Sequence, residues 1–464
     1  MEILFETDWV NFTRCFYNSR TGRFGTCIND VIDLSNLEID REGLQDYLDF
    51  GYCVFGHTPV KDVHFLPHSS QLLRRDDGSL EVRHLEDKAL HCLESIHWSE
   101  DEIWDYLRDI VQRWEASVDG EIVIPTSGGY DSRILNWMVK DKKRIRSFSF
   151  GATSPQSRSF EVIYARELSR RLGTRWEQVE LGAFFRHLED WYDLYGVSVH
   201  AHGMAHFEFY DTIRKRLCLD EPKKKEFPFP VLSGILGDDW AGCDDIPEVS
   251  GPEMLTNLGL RHGMCVDVEA CLGRVQCSEM RQLYWDRNRE MLSDPKNRVV
   301  EMIRHKQMLF SYLFRVPEKL SFSPWTPFKD LPLATAMLNL PPGRRKHRIW
   351  QQDFFRKNGI MVNDDCRVKR LPNTLFYQAY DQVPLKPLDR RILSEAVRPE
   401  FVDWINRNVP RTIQNDFQEL LLSLRGSGRL CRIFTGKIPT TVRFRAFMAY
   451  LVLYPIERLL KSRC

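Results

Sequence analysis

The sequence lacks the charge excess, the long apolar run and the paired cysteines that mark several large classes of protein. Lysine plus arginine and aspartate plus glutamate each number 65, so there is no net positive charge to attract nucleic acid in general. No run of about 18 apolar residues occurs, so we expect no transmembrane segment. The twelve cysteines include no C-x-x-C pair, the spacing that commonly marks zinc sites.

The first residues also lack the apolar segment of a secretory signal, because charged side chains occur at Glu2, Asp8 and Arg14. A chain with no such signal and with cysteines in no recognisable pattern is typical of a reducing compartment. We therefore expect a cytoplasmic protein with free thiols and no nucleic-acid partner.

What the sequence does contain is an ordinary globular composition, with 43% hydrophobic and 28% charged residues among 464. This length is enough for two or three domains. Residues 1–95 hold short strand-like runs, such as 53–55 and 63–66, and a turn signal at 76–79 (DDGS), which predict a small β-rich region. Residues 96–375 are predicted to form the main domain. Residues 376–464 are predicted to form a helical C-terminal extension.

Strands and helices alternate most clearly between residues 121 and 240. Apolar segments bounded by polar residues, glycine or proline predict the strands, and apolar residues at three- and four-residue steps predict the helices. This alternation is typical of an α/β fold with a parallel, doubly wound sheet. The predicted strands are 121–125, 145–150, 176–181 and 230–232, and the predicted helices are 99–115, 131–140 and 158–172.

The segment most informative about chemistry is residues 127–132 (SGGYDS), between the first of these strands and the next helix. Its glycines let the backbone turn sharply and approach a ligand, and the start of a helix offers unpaired N–H groups to phosphate. Ser127 and Ser132 can add hydrogen bonds. Asp131 would repel phosphate unless it holds a divalent cation, which predicts Mg²⁺. No Walker A lysine follows, and a simple helix-capping turn is the alternative.

Two further segments end neighbouring predicted strands. Residues 147–151 (SFSFG) end the second strand, where an adenine ring can stack and bond to the backbone. Residues 231–242 (VLSGILGDDWAG) repeat the design of a strand followed by a glycine loop. They include Asp238, whose carboxylate can join that of Asp131 at Mg²⁺.

Together these segments resemble the PP-loop of the N-type ATP pyrophosphatases and, within that group, the synthetase domain of asparagine synthetase. The resemblance covers about residues 120–245. It implies ATP and Mg²⁺ as cofactors, and a reaction in which a carboxylate attacks the α-phosphate of ATP before ammonia or an amine displaces AMP. The residues that it implies for nucleotide binding are Ser127, Gly128, Gly129, Asp131, Ser132, Phe150, Gly151, Ser233 and Gly234, with Asp131 and Asp238 as catalytic metal ligands.

The N-terminal region departs from this family. Residues 1–95 resemble only the last strands of its glutaminase domain, and Glu2 stands where glutamine-using members have a cysteine nucleophile. Cys15 and Cys27 are poor replacements because neither carries the free amine base of an N-terminal residue. We therefore expect a non-catalytic glutaminase remnant, with nitrogen supplied by ammonia, an amine substrate or a separate protein.

The residues that correspond to the family's acyl-acceptor site also depart from the family pattern. Ile235 replaces an acidic residue, and in residues 323–330 (SPWTPFKD) Ser323 and Trp325 replace the Glu and Arg of the family's E-x-R-x-P-F-L-D block. Similar departures occur in relatives that amidate sugar acids in surface-glycan pathways, and in lasso-peptide cyclases and β-lactam synthetases. We expect an amide ligase for a small-molecule or peptide carboxylate, such as a sugar acid. The alternatives are a cyclase of this family or a degenerate, nucleotide-binding partner without activity.

Basic residues are expected to neutralise the departing pyrophosphate. Lys346, within residues 344–348 (RRKHR), and Lys369 are the candidates, and a solvated basic face is the alternative for both. The run of His200, His202 and His206 lies where the family has its substrate-binding loop. Substrate contact or packing is favoured there over metal binding.

Overall fold

The computed structural model describes residues 1–220, 228–242, 246–258, 266–273, 277–366, 368, 373–412 and 441–463. The strands are β1 Glu2–Glu6, β2 Phe16–Asn18, β3 Phe24–Gly25, β4 Val63–Phe65, β5 Ser70–Arg74, β6 Leu80–His84, β7 Ile122–Pro125, β8 Ile145–Ser149, β9 Arg175–Gln178, β10 Phe229–Leu232 and β11 Phe322–Trp325. The helices are α1 Arg41–Phe50, α2 Lys88–Ser95, α3 Glu100–Ser117, α4 Tyr130–Met138, α5 Phe160–Leu172, α6 Leu188–Tyr195, α7 Met204–Asp220, α8 Gly237–Ala241, α9 Val268–Leu272, α10 Glu279–Asn288, α11 Pro295–Phe310, α12 Tyr312–Lys319, α13 Leu331–Asn339, α14 Pro342–Arg345, α15 Ile349–Lys357, α16 Val362–Asp365, α17 Leu375–Gln382, α18 Arg390–Leu393, α19 Pro399–Asn408 and a C-terminal helix Val442–Lys461.

Two small antiparallel sheets form the N-terminal region, with strand orders β1–β5–β6 and β3–β2–β4. The predicted turn at 76–79 joins β5 to β6, and the Asp77 carboxylate stabilises it by accepting a hydrogen bond from the Ser79 N–H (2.9 Å). The strand predicted near residue 63 is confirmed by β4. The strand predicted at 53–55 is wrong, because Phe55 adopts a left-handed conformation (φ 56°) and the buried run turns there.

The central sheet has five parallel strands in the order β11–β10–β7–β8–β9. From β7 the chain proceeds to β8 and β9 on one side, and later to β10 and β11 on the other. The strand order therefore reverses between β7 and β10, and in open α/β sheets ligands bind outside the carboxyl ends of the strands at such a point. The predicted α/β fold with a parallel, doubly wound sheet is confirmed.

The four strands predicted for this sheet all form, and β11 is an additional one. Pro324 lies within β11 and removes a backbone donor from it, which is tolerated because β11 is an edge strand. Both the proline and the short length make this strand hard to recognise in the sequence.

Helices cover the sheet in two groups, with α4 packed against α3 and α5, and α7 packed against α12. The helices predicted between residues 99 and 172 are confirmed with shifted ends. A capping box of Ser99 and Glu102 begins α3. Gly173, in a left-handed conformation (φ 68°), ends α5 as predicted.

The described residues of the C-terminal part, 376–412 and 441–463, contain helices and no strand, in agreement with the prediction. The C-terminal helix packs against α18 and α19, and its apolar stretch at 446–456 is buried. Within the described ranges, no helix has both the length and the apolar character required to cross a bilayer. Buried side chains from all three predicted regions join one core, and the boundaries near residues 95 and 375 stay predictions.

Candidate active site

The SGGYDS segment connects the carboxyl end of β7 to α4, at the centre of the sheet. Gly128 has a left-handed backbone (φ 70°), and a Cβ atom there would lie 2.6 Å from the Cβ of Tyr164 on α5. Any larger residue would push the loop away from α5. The Ser127 hydroxyl accepts a hydrogen bond from the Gly129 N–H (3.3 Å), which shapes the turn before the helix begins.

Arg133 stabilises this loop through buried hydrogen bonds and ring contacts. Its side chain is fully buried and donates to the carbonyl oxygen of Gly128 (3.0 Å) and to Oδ1 of Asn363 (2.7 Å). The guanidinium also lies over the rings of Tyr130 and Phe355, at 5.2 and 5.0 Å from their centroids. Burial lowers the pKa of Arg133 to about 10, which still leaves it charged at neutral pH.

A buried polar network fixes the strand ends around the loop. Asn136 of α4 donates to the Thr126 hydroxyl (3.0 Å) and accepts from the Ser147 hydroxyl of β8 (2.9 Å). The Ser149 hydroxyl donates to the Thr126 carbonyl and accepts from the Trp176 indole N–H (3.0 Å). Because these buried polar groups satisfy one another, the ends of β7, β8 and β9 are held in one arrangement.

The loop after β10, residues 233–236, and the first residues of α8 pack directly on the start of α4. A Cβ atom at Gly234 would lie 3.0 Å from the Asp131 Cβ, and one at Gly237 would lie 2.8 Å from the Asp131 Oδ1. The two glycines therefore allow the β7 and β10 loops to meet. This contact brings the side chain of Asp238 close to that of Asp131.

The pKa of Asp131 is raised to about 7, first by burial and then by the charge of Asp238, while Arg348 acts in the opposite direction. Arg348 Nη1 lies 3.6 Å from Asp131 Oδ1, which is too long for a hydrogen bond. Among the described residues, Asp131 Oδ1 makes no hydrogen bond although it is buried. Two mutually repelling carboxylates, one with an unsatisfied oxygen, suit a divalent cation.

The backbone at Arg348, whose guanidinium lies near Asp131, forms an unusual turn. His347 and Arg348 both have φ near 55°, a left-handed conformation that costs free energy in residues other than glycine. The guanidinium lies 4.5 Å from the centroid of the Tyr130 ring. Arg348 belongs to the basic run 344–348, in which Lys346 is the candidate predicted from the sequence. Lys346 is exposed and Arg348 is half-buried, and neither of them lines the cavity described next.

A cavity of about 540 Å³ opens above the carboxyl ends of β7, β8 and β10. Its size is in the range of small-molecule sites. The predicted site residues that line it are Ser127, Asp131, Ser132, Phe150, Ser233, Gly234 and Asp238. Gly128, Gly129 and Gly151 lie in the same loops without lining it, and Lys369 lies outside the described residues.

Several lining residues were not predicted from the sequence. Lys306, Phe310, Tyr312 and Leu313 come from α11 and α12, far along the chain from the SGGYDS loop. Glu161 of α5 and Asp239 also line the cavity. No local motif marks the α11 and α12 residues. They reach the site through tertiary packing, in which α11 contacts α8, and α12 packs on α7 and β11.

The histidine run divides between the core and the cavity. His200 is fully buried and donates from Nδ1 to the Gly51 carbonyl (2.6 Å), while His206 lines the cavity. Burial lowers the pKa of His206 to about 4, so it is neutral at physiological pH. In the part of the chain that the structure describes, no three His, Cys, Asp or Glu side chains are arranged to hold a metal. A Mg²⁺ ion at Asp131 and Asp238 would need further oxygen ligands from ATP.

The block that resembles E-x-R-x-P-F-L-D forms β11 and the turn after it. Trp325 stacks on Trp114 of α3 (centroids 5.1 Å apart, planes at 8°) and lines a second cavity of about 720 Å³. It does not line the cavity that contains Asp131.

Comparisons with known proteins give little beyond this geometry. No protein-family model matches the chain, and no curated protein sequence matches it. Among solved structures, it is similar to the NH3-dependent NAD synthetase from Campylobacter jejuni subsp. jejuni NCTC 11168 in complex with the nitrate ion. The identity is 14%, the match covers 46% of this chain and 96% of that chain, and the TM-score is 0.24. A similarity at this level carries no conclusion about activity.

Proposed function

We propose that this protein is an ATP- and Mg²⁺-dependent, AMP-forming ligase that adenylates a carboxylate and transfers the acyl group to ammonia or an amine. The proposal depends on one observation: Asp131 and Asp238 line the same cavity, at the start of α4 and between β7 and β10, where the strand order of the sheet reverses. A glycine loop at a helix start suits phosphate. Two carboxylates beside it suit the cation that accompanies a triphosphate.

The chemistry proceeds in two displacements. A carboxylate oxygen attacks the α-phosphorus of ATP, and the bond from that phosphorus to the pyrophosphate oxygen breaks. The amine nitrogen then attacks the acyl carbon, the bond to the AMP oxygen breaks, and the nitrogen loses a proton to solvent. Catalysis of this kind depends mainly on positioning and on charge neutralisation.

The residues of the cavity take distinct roles in this proposal. Ser127, Ser132 and the N–H groups at the start of α4 bind the phosphates, and Asp131 with Asp238 would hold Mg²⁺. When bound, Mg²⁺ neutralises charge on the triphosphate oxygens. The adenine and ribose are proposed to lie where β8 and β10 end, with the binding residues Phe150, Gly151, Ser233 and Gly234.

The test is the exchange of labelled pyrophosphate into ATP with a panel of carboxylates. The ligase requires carboxylate-dependent exchange, and the matching amide should form when ammonium or an amine is added. ATP binding without exchange for any carboxylate would contradict the ligase and leave the nucleotide-binding partner. A product cyclised within one peptide or amino acid would favour the lasso-peptide or lactam cyclase.

Arg348, rather than Lys346, is expected to contact the departing pyrophosphate, because its guanidinium lies beside Asp131 while Lys346 is exposed. Arg348→Met should slow exchange by about 100-fold, the usual cost of losing a charge-stabilising donor. Lys346→Met, the matched change two residues away, should slow the exchange much less. Lys369→Met tests the second lysine predicted from the sequence in the same assay. A larger loss in Lys346→Met would contradict the assignment to Arg348.

Glutamine should not replace ammonium as the nitrogen source. The four cysteines of residues 1–95 are Cys15, Cys27, Cys53 and Cys92, and burial raises the pKa of each thiol. For Cys15 the pKa is raised to about 12. Since the thiolate is the nucleophile, a raised pKa makes each of these thiols a weaker nucleophile near neutral pH. Amide formation should therefore occur with ammonium and not with glutamine, and glutamate release from glutamine would contradict this.

A further inference from the structure

The cavity has a second side that the proposed nucleotide site does not use. Five side chains from α7, α11 and α12 form this side, which we call the aromatic wall. They are Phe209, Tyr210, Phe310, Tyr312 and Leu313. Phe209 also contacts Phe150 at the end of β8 (centroids 5.3 Å apart), so the wall continues from the proposed adenine site.

The aromatic wall is uncharged at neutral pH. Burial raises the pKa of Tyr312 to about 12, and the neighbouring His206 is neutral because burial lowers its pKa to about 4. The His206 and Tyr312 rings pack together with centroids 4.8 Å apart. The wall is therefore an uncharged, mainly aromatic surface, whose polar atoms are the hydroxyls of Tyr210 and Tyr312.

Lys306 is the one cationic side chain of the cavity lining in the described part of the chain. It lies one helical turn before Phe310, and its Nζ is 5.9 Å from the centroid of that ring. The acidic residues of the lining lie on the α4, α5 and β10-loop side instead: Asp131, Glu161, Asp238 and Asp239. The cavity thus offers an anion a single ammonium next to an apolar surface.

The geometry points to the class of carboxylate that this enzyme adenylates, an inference that rests on the proposed function. The substrate is a carboxylate with an aromatic or aliphatic body: the body packs on the aromatic wall, and Lys306 binds the carboxylate. A sugar acid fits poorly, because it carries a hydroxyl on most of its carbons and the wall has only the Tyr210 and Tyr312 hydroxyls to replace their hydrogen bonds to water. The inference therefore disfavours the sugar-acid substrate expected from the sequence.

A binding experiment tests this without requiring turnover. The probes are 3-phenylpropionate and glucuronate, which carry the same charge, and 3-phenylpropanamide, which lacks it. Their binding to the full chain is measured by ligand-observed NMR, both without nucleotide and with saturating α,β-methylene-ATP and Mg²⁺. We expect 3-phenylpropionate to bind at least about tenfold more tightly than either other probe.

Variants locate the binding. Lys306→Met should weaken 3-phenylpropionate binding about tenfold and Lys306→Arg should restore most of it, whereas Lys319→Met, an exposed lysine outside the cavity, should change nothing. Leu313→Gln, at a half-buried position of the wall, should weaken the same probe if the body packs there. Circular dichroism confirms that each variant is folded.

The possible results separate the two proposals. Tighter binding of glucuronate, unchanged binding in Lys306→Met, or displacement of 3-phenylpropionate by α,β-methylene-ATP would overturn the substrate class. The last result would make the aromatic wall part of the adenine site. Selective 3-phenylpropionate binding without pyrophosphate exchange for any carboxylate would instead contradict the ligase and leave the apolar anion site standing.

Discussion

Replacement of Asp238 by alanine is expected to abolish adenylation while the fold is kept. Asp238 is half-buried at the first turn of α8, and its charge raises the pKa of Asp131. Without it, Mg²⁺ beside the triphosphate would keep one protein carboxylate instead of two. The expected loss in carboxylate-dependent exchange is about 1,000-fold or more, equivalent to about 4 kcal/mol of transition-state stabilisation.

The fold should tolerate this change, because removing Asp238 relieves a repulsion with Asp131 instead of breaking a partnership. Stability in chemical denaturation should be equal to that of the wild type or slightly higher. Asp109→Ala, on the exposed surface of α3, is the matched control and should keep full activity. Exchange within about tenfold of wild type in Asp238→Ala would remove this residue from the metal site.

The location of the two carboxylates could be foreseen because it follows from sheet geometry. The apolar strands before residues 127 and 233 end in glycine loops, and parallel strands place their carboxyl ends at one edge. The structure brings Asp131 and Asp238 together there, with Gly234 and Gly237 making the close approach possible. Their roles at Mg²⁺ stay predictions.

Other parts of the site depend on packing that no local pattern encodes. Lys306 and the aromatic wall come from helices that are distant in sequence from the SGGYDS loop: α11 contacts α8, and α12 packs on α7 and β11. In the run 344–348, five basic residues look equivalent in the sequence, and only the left-handed turn at His347 and Arg348 selects Arg348. The strand β11 was missed because Pro324 resembles a strand breaker until its edge position is known.

Asp131→Asn is expected to remove activity and to stabilise the protein. The same negative charge that is proposed to hold Mg²⁺ destabilises the folded chain. The folded-state pKa of Asp131 is about 7, above the value of about 3.9 of an unfolded chain. Ionisation of Asp131 therefore destabilises the folded state. The free energy of unfolding decreases progressively as pH rises from about 4 to 7 and stays at the lower value above that. Asparagine has a similar shape and cannot ionise. At pH 8 the variant should be more stable by on the order of 2 kcal/mol.

The pH dependence separates this cause from ordinary repacking. Below about pH 4 Asp131 is protonated in both the folded and the unfolded state, so the stability advantage of Asp131→Asn in urea denaturation should vanish there. The control Asp109→Asn should show no such trend.

Mg²⁺ with α,β-methylene-ATP should stabilise the wild type more than Asp131→Asn, because ligands stabilise the state that binds them. The wild type should also bind Mg²⁺ about tenfold more weakly for each pH unit below about 7, since protons compete for Asp131. A variant less stable than wild type at pH 8 would mean that the pairing of Asp131 with Arg348 outweighs burial and the repulsion from Asp238.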